Sequence, residues 1–222
     1  MADLHQFIEG FREFQQQYFA GETALFDRLR AGQTPTTVLI GCCDSRVDPA
    51  ILTQCAPGEM FIIRNVANLV PPFEQGTTNQ GVSAALQYAV TVLNVSRIVV
   101  LGHSHCGGIK GLMDSNDIVD KDDFLGRWIH IASKAKQRVL QQLPHADKAT
   151  QYRACELEAI RDSLVNLETF PWIKQRLGSA ELSLHGWFFD FEHGALLGFD
   201  EESKQFQPLV SALPIKDFWI EI

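Results

Sequence analysis

The sequence predicts an α/β fold with a mainly parallel central β-sheet flanked by helices. Three observations carry this prediction. Short apolar runs with β-branched residues recur at 37–41, 61–65 and 98–101, the pattern of buried strands. Stretches with apolar residues at three- and four-residue steps lie between and around them, the pattern of helices with one buried face. Strand and helix alternate, which favours parallel pairing through helical crossovers.

Residues 3–18 place Leu4, Phe7, Ile8, Phe11, Phe14 and Tyr18 on one face of a helix. That face needs a partner surface, in its own chain or a neighbour. A second short helix spans 23–30, and Gly32-Gln33-Thr34-Pro35 turns the chain. The strand at 37–41 follows, then the one at 61–65. Residues 81–93 form a helix with Val82, Ala85, Leu86, Ala89 and Val90 on one side, and 98–101 is the third strand. Residues 121–142 and 153–168 read as long helices, and 182–187 and 195–199 as late strands. Beyond Pro208 the pattern is least regular. Pro71-Pro72 marks a loop. There is no internal repeat, so the chain reads as one domain, 1–222. Its parts are an N-terminal helical arm at 1–35, an α/β core at 36–200 and a C-terminal tail at 201–222.

Composition narrows the function classes. The 222 residues are 45% hydrophobic and 21% charged, enough for a core without disulfide staples. Nineteen basic against 27 acidic residues give a net charge of −8. That balance disfavours nucleic acid and anionic lipid as partners. No apolar run reaches the roughly 18 residues of a membrane span. The N-terminus lacks the basic and apolar regions of a secretory signal. Five cysteines, an odd number, argue against a disulfide framework. In a reducing cytoplasm, the expected location, thiols serve as metal ligands, nucleophiles or buried apolar residues. Cys43, Cys55 and Cys155 are assigned to the last of these.

Two segments carry the chemistry, and each follows a strand. Cys42-Cys43-Asp44-Ser45-Arg46 follows the first, and His103-Ser104-His105-Cys106-Gly107-Gly108 the third. In an open α/β sheet the carboxyl ends of the strands form the ligand crevice. If the two strands are neighbours, Cys42, His103 and Cys106 converge there with Asp44 and Arg46 beside them. Two thiolates and an imidazole suit zinc, and three protein ligands leave a coordination position open for catalysis. A helix beginning after Gly108 would help lower the Cys106 thiol pKa. His105, adjacent to Cys106, is a poor joint ligand and fits a pocket or proton-transfer role. No His-Glu-x-x-His metalloprotease motif and no Cys-x-x-Cys redox motif occurs.

Cys42-x-Asp44-x-Arg46 followed by His103-x-x-Cys106-Gly107-Gly108 resembles the β-class carbonic anhydrases. Residues 64–70 (Arg-Asn-Val-Ala-Asn-Leu-Val), 102–111 and Cys155-Glu156 agree, and the similarity runs from about Leu4 to about Phe199. The resemblance implies one Zn²⁺ per subunit on Cys42, His103 and Cys106. A zinc-bound hydroxide would convert carbon dioxide to bicarbonate and a proton. Asp44 would orient it and Arg46 would hold Asp44. The implied substrate pocket is Gln33, Phe61, Val66 and Tyr88, partly supplied by a neighbouring subunit. A homodimer or dimer-based higher oligomer follows, with the N-terminal arm packed on the partner. Some members close their site at low pH, with bicarbonate held by a tryptophan, a tyrosine and an arginine. Here the matching positions are Leu39, Phe189 (beside Trp187) and Arg64, so the resemblance points to the plant-like, open-site group. Two other readings share the ligands: a carbonyl sulfide or carbon disulfide hydrolase, and a structural zinc module closed by Asp44.

A zinc ion with two thiolates and a neutral imidazole sums to zero charge. It acidifies water less than a tris-histidine zinc, whose water has a pKa of about 7. Hydration activity is therefore expected to rise with pH through the alkaline range. Stopped-flow rates that stay flat from acid to alkaline pH contradict this.

Overall fold

A computed structural model describes residues 4–20, 24–74, 80–115 and 123–213. The chain divides into two compact units, Met1–Thr34 and Pro35–Ile222. In the first, α1 (Leu4–Phe19) and α2 (Ala24–Leu29) are joined by an aromatic cluster. The rings of Phe14, Tyr18, Phe19 and Phe26 pack in tilted and edge-on pairs with centroids 4.8 to 6.0 Å apart. The apolar stripe expected on α1 is present, and Leu4, Phe7, Ile8 and Phe11 are all more than half exposed. Residue 3, the expected start of this helix, lies outside the described residues.

The second unit is built on a six-stranded sheet of order β2-β1-β3-β4-β5-β6. The strands are β1 (Thr37–Cys42), β2 (Met60–Asn65), β3 (Arg97–His103), β4 (Ser183–Asp190), β5 (Ala195–Asp200) and β6 (Gln205–Val210). β1 pairs in parallel with both β2 and β3, and β3 with β4; β5 and β6 add antiparallel. β6 lies in the segment read from sequence as a tail, so the sheet runs past residue 200. Pro208 sits on this outermost strand, the kind of strand to which proline is confined within sheets.

Alternation along the strands gives two buried faces. On one face Val38, Ile40, Ile98, Val100 and Phe188 pack with Leu86, Ile160, Leu164 and Ile173 from the helices. Leu39, Val99 and Leu101 occupy the other with Val47, and Trp187, Phe189 and Leu196 are half-buried at its margin. The helices are α3 (Pro49–Thr53), α4 (Gly81–Gln87), α5 (Gly107–Asp114), α6 (Phe124–Ile129), α7 (Ser133–Gln142), α8 (Lys148–Leu167) and α9 (Pro171–Gly178). None of the described helices is long and apolar enough to cross a membrane.

Several expected elements are corrected. The helix expected over 81–93 is α-helical only to Gln87 and continues as a π-turn, Tyr88–Val92. Its displaced Val90 carbonyl accepts from the Arg176 guanidinium at 2.9 Å. The long helix expected over 121–142 is α6 and α7 separated by a 3₁₀ turn, His130–Ala132; residues 121–122 lie outside the described residues. α8 begins at Lys148, five residues before the expected start, because Asp147 caps it by accepting from Thr150 N–H at 2.9 Å. α3 and α9 were not anticipated. Both are short and open on proline, which suits the first helical turn.

Candidate metal centre

β1 and β3 are adjacent, so the condition set by the sequence is met: Cys42 ends one strand and His103 its neighbour. The chain then turns through His105, which takes a left-handed backbone (φ 58°), and brings Cys106 to the start of α5. Cys42, His103 and Cys106 are all buried, and their ligand atoms lie within 4.8 Å of one another, close enough for one divalent ion to touch all three.

The donor set fits such an ion. His103 Nδ1 lies 2.9 Å from the Ser104 carbonyl, which accepts only, so Nδ1 carries the proton. Nε2 is buried without a hydrogen-bond partner, so its lone pair is the atom offered to a metal. Cys42 Sγ accepts from Asp44 N–H and Ala67 N–H, each at 3.4 Å. The Cys106 thiol, the His103 ring and these amides hold the Cys42 thiol down to about 4, against the effect of burial. Cys106 shifts the other way. Its hydrogen bond to Cys42 and its burial push its thiol up, although the Gly108 and Ile109 amides at the start of α5 favour its thiolate. The expected lowering by the helix is thus outweighed by the neighbouring sulfur.

Asp44 does not join the trio. Arg46 takes both its oxygens, with Nε 2.9 Å from Oδ1 and an amino nitrogen 2.7 Å from Oδ2, and the Arg46 amide adds a bond at 3.0 Å. This fork holds the Asp44 carboxyl well below the usual carboxylate range. Arg46 also bonds the His105 carbonyl at 3.2 Å and stacks on Phe191, 4.9 Å from its ring centroid, so the two segments are tied together.

The other expected pocket residues separate. Val66 follows β2 and lines an apolar cleft of about 660 Å³ with Cys43, Pro71, Val82, Leu125 and Trp128. Trp128 donates to the Val66 carbonyl at 2.7 Å. Phe61 and Tyr88 pair with each other, ring centroids 5.9 Å apart. Phe61 stands beside Val38, and Asn65 beside Cys42. Four residues of strand, about 13 Å, therefore separate Phe61 from the level of Cys42. Gln33 is exposed and belongs to the first unit. Of the cysteines assigned to the core, Cys155 is buried, whereas Cys43 is exposed and Cys55 half-buried; both of these follow strand or helix ends rather than lying within them.

Around Cys106, Glu156 enters the sequence reading only as part of the resemblance, and Arg153 and Asp190 not at all. Glu156 is buried in α8, and its Oε1 accepts from the Cys106 amide at 2.9 Å. Burial pushes its carboxyl up, with Cys106 N–H and Arg153 opposing. Beside it Arg153 bonds Asp190 at 2.9 Å, and His193 bonds the same carboxylate at 3.0 Å. These groups, with His105 and Glu192, are among the residues lining a cavity of about 700 Å³ that reaches Cys106. A charged residue on the inward face of α8 was the signal available for Glu156.

Gly108 shows how tightly the centre is backed. A Cβ there would stand 2.8 Å from Val66 Cγ1 and 3.0 Å from Ala67 Cβ. Gly108→Ala is expected to destabilise the fold by about 1–3 kcal/mol. A thermal melt should register a drop of about 2–4 °C per kcal/mol, and an unchanged melt contradicts the packing argument.

Comparison with known proteins points one way. A family model described as carbonic anhydrase matches residues 37–196. A carbonic anhydrase of Synechocystis sp. is 37% identical over 217 residues, 96% of this chain and 78% of the relative. The solved β-carbonic anhydrase CcaA superposes with a TM-score of 0.86 at 37% identity, over 93% of this chain and 100% of that one. A structure from a study of two tetrameric β-carbonic anhydrases of Sordaria macrospora gives 0.69 at 25% identity, over 95% of each chain.

Proposed function

The chain belongs to the β-class carbonic anhydrases, lyases in enzyme class, and on that footing we propose that it hydrates carbon dioxide reversibly with one zinc per subunit on Cys42, His103 and Cys106. The observation that carries this is the buried trio with the unpartnered His103 Nε2. When bound, zinc supplies the nucleophile by lowering the pKa of a water molecule. The chain's own residues do the rest. Asp44 stays ionised because Arg46 grips it, and it accepts a hydrogen bond from the nucleophile and orients it. The cleft at Val66 and Trp128 presents apolar walls to a small neutral gas.

The protein is of the open-site type. Support comes from the Asp44–Arg46 fork, which occupies the carboxylate that would otherwise close the metal, and from Leu39, fully buried where a tryptophan would be needed. The same fork disfavours a structural zinc module. The working form is a homodimer or a higher oligomer built from dimers. Phe61 and Tyr88 stand too far along the sheet to meet their own chain's trio, so a second copy completes the pocket with them and Gln33. The exposed stripe of α1 packs on that copy as the arm of residues 1–35, ahead of the core at 36–200. Free thiols throughout suit the cytoplasm.

The deciding experiment joins zinc stoichiometry to stopped-flow hydration of carbon dioxide, with carbonyl sulfide and carbon disulfide as parallel substrates. One zinc per chain and fast hydration are expected. Hydrolysis of the sulfur gases without hydration moves the protein to the other activity on this scaffold, and absence of zinc removes the enzymatic reading.

A further inference from the structure

We infer that Arg64 is a positioning residue for this reaction: its one guanidinium sets the path of the loop that leaves Cys42 and carries Asp44. The inference rests on the hydration reading for its kinetic consequence. Arg64 lies on β2 directly beside Gly41 of β1, after the apolar run Met60-Phe61-Ile62-Ile63. Its Nε donates to the Cys42 carbonyl at 2.9 Å. One amino nitrogen donates to the Asp44 carbonyl at 2.8 Å and the Val47 carbonyl at 3.1 Å. The other reaches Asp48 Oδ2 at 3.2 Å.

Residues 43–48 form no helix or strand, so nothing periodic fixes them. Their order comes from a turn, in which Val47 N–H donates to the Asp44 carbonyl at 3.0 Å, from the Cys43 N–H bond to the Asn65 carbonyl at 2.9 Å, from the Arg46 bond to the His105 carbonyl, and from Arg64, which alone among these holds three of the carbonyls. Three carbonyl dipoles aimed at one point repel one another unless a cation stands between them. Asp48, held by the same cation, caps α3 by accepting from Ala50 N–H at 2.9 Å. Asp44 is therefore gripped at both ends, its carboxylate by Arg46 and its carbonyl by Arg64. The direction of the carboxylate depends on both. Lysine cannot replace Arg64, because a single ammonium lacks the planar fork that spans several acceptors.

The test compares wild type, Arg64→Met and Arg64→Lys for kcat, KM and the rate of zinc release into a chelator. In Arg64→Met, kcat is expected to fall by about 10–100-fold with KM little changed, and zinc release to quicken by about tenfold or more. Arg64→Lys should lie between, and millimolar guanidinium should restore activity to Arg64→Ala. If Arg64→Met does not fold, Arg64→Lys carries the comparison. An Arg64→Lys protein equal to wild type in both kcat and zinc release overturns the inference. A wild type that holds zinc but does not hydrate carbon dioxide overturns the proposed activity instead, and the release rates still judge Arg64.

Discussion

Asp44→Asn is expected to lower kcat/KM for carbon dioxide hydration by about 100-fold, roughly 2.7 kcal/mol, while zinc content stays at the wild-type value. The asparagine keeps one carbonyl acceptor but turns an NH₂ toward the Arg46 fork, which offers only N–H donors. The side chain must then rotate, and with it goes the acceptor that orients the nucleophile. Zinc is retained because Asp44 is not one of the three clustered ligands. The loss should persist toward acid pH. Arg46 keeps the Asp44 carboxyl well below the ordinary range, so the wild type does not lose its carboxylate there. Stopped-flow rates across pH, with metal analysis on the same samples, decide the matter. A variant as fast as wild type would remove Asp44 from the mechanism, and a zinc-free variant would make it a ligand.

The second large effect concerns the metal. His103→Ala and Cys106→Ser should each carry far less than one zinc per chain and lose hydration by more than about 10³-fold, since two ligands cannot hold a catalytic zinc. Chelation of the wild type should lower the melting temperature as well. A metal present at a thousandfold its dissociation constant stabilises by about 4.1 kcal/mol. At about 2–4 °C per kcal/mol this is a fall of about 8–16 °C. Reloading should depend on pH in a fixed sense. In the metal-free site the Cys106 thiol is pushed up by Cys42 and burial. Zinc must expel the thiol proton, so its apparent affinity rises with pH. Full zinc occupancy and activity in Cys106→Ser would contradict the assignment of the ligands.

The reach of the sequence can be judged from particular residues. Cys42, Asp44, Arg46, His103 and Cys106 were legible because each sits within a few residues of a strand end, and local patterns mark strand ends. Glu156 and Arg64 were read only as parts of the resemblance. Their partners, the Cys106 amide and the carbonyls of 42, 44 and 47, are main-chain groups with no side-chain signature. The break between α6 and α7 was hidden because the apolar spacing continues across it.

Short-range pattern determined the strands, most of the helices and the chemical type of the centre, since alternation and three-to-four spacing are properties of consecutive residues. Only the tertiary structure decided that β1 lies between β2 and β3, that Phe61 stands a strand's length from Cys42, and that Glu156 backs Cys106. Those outcomes depend on which distant segments pair and in what register. Pairing is settled by burial and hydrogen bonding across the whole sheet, a competition no local window contains.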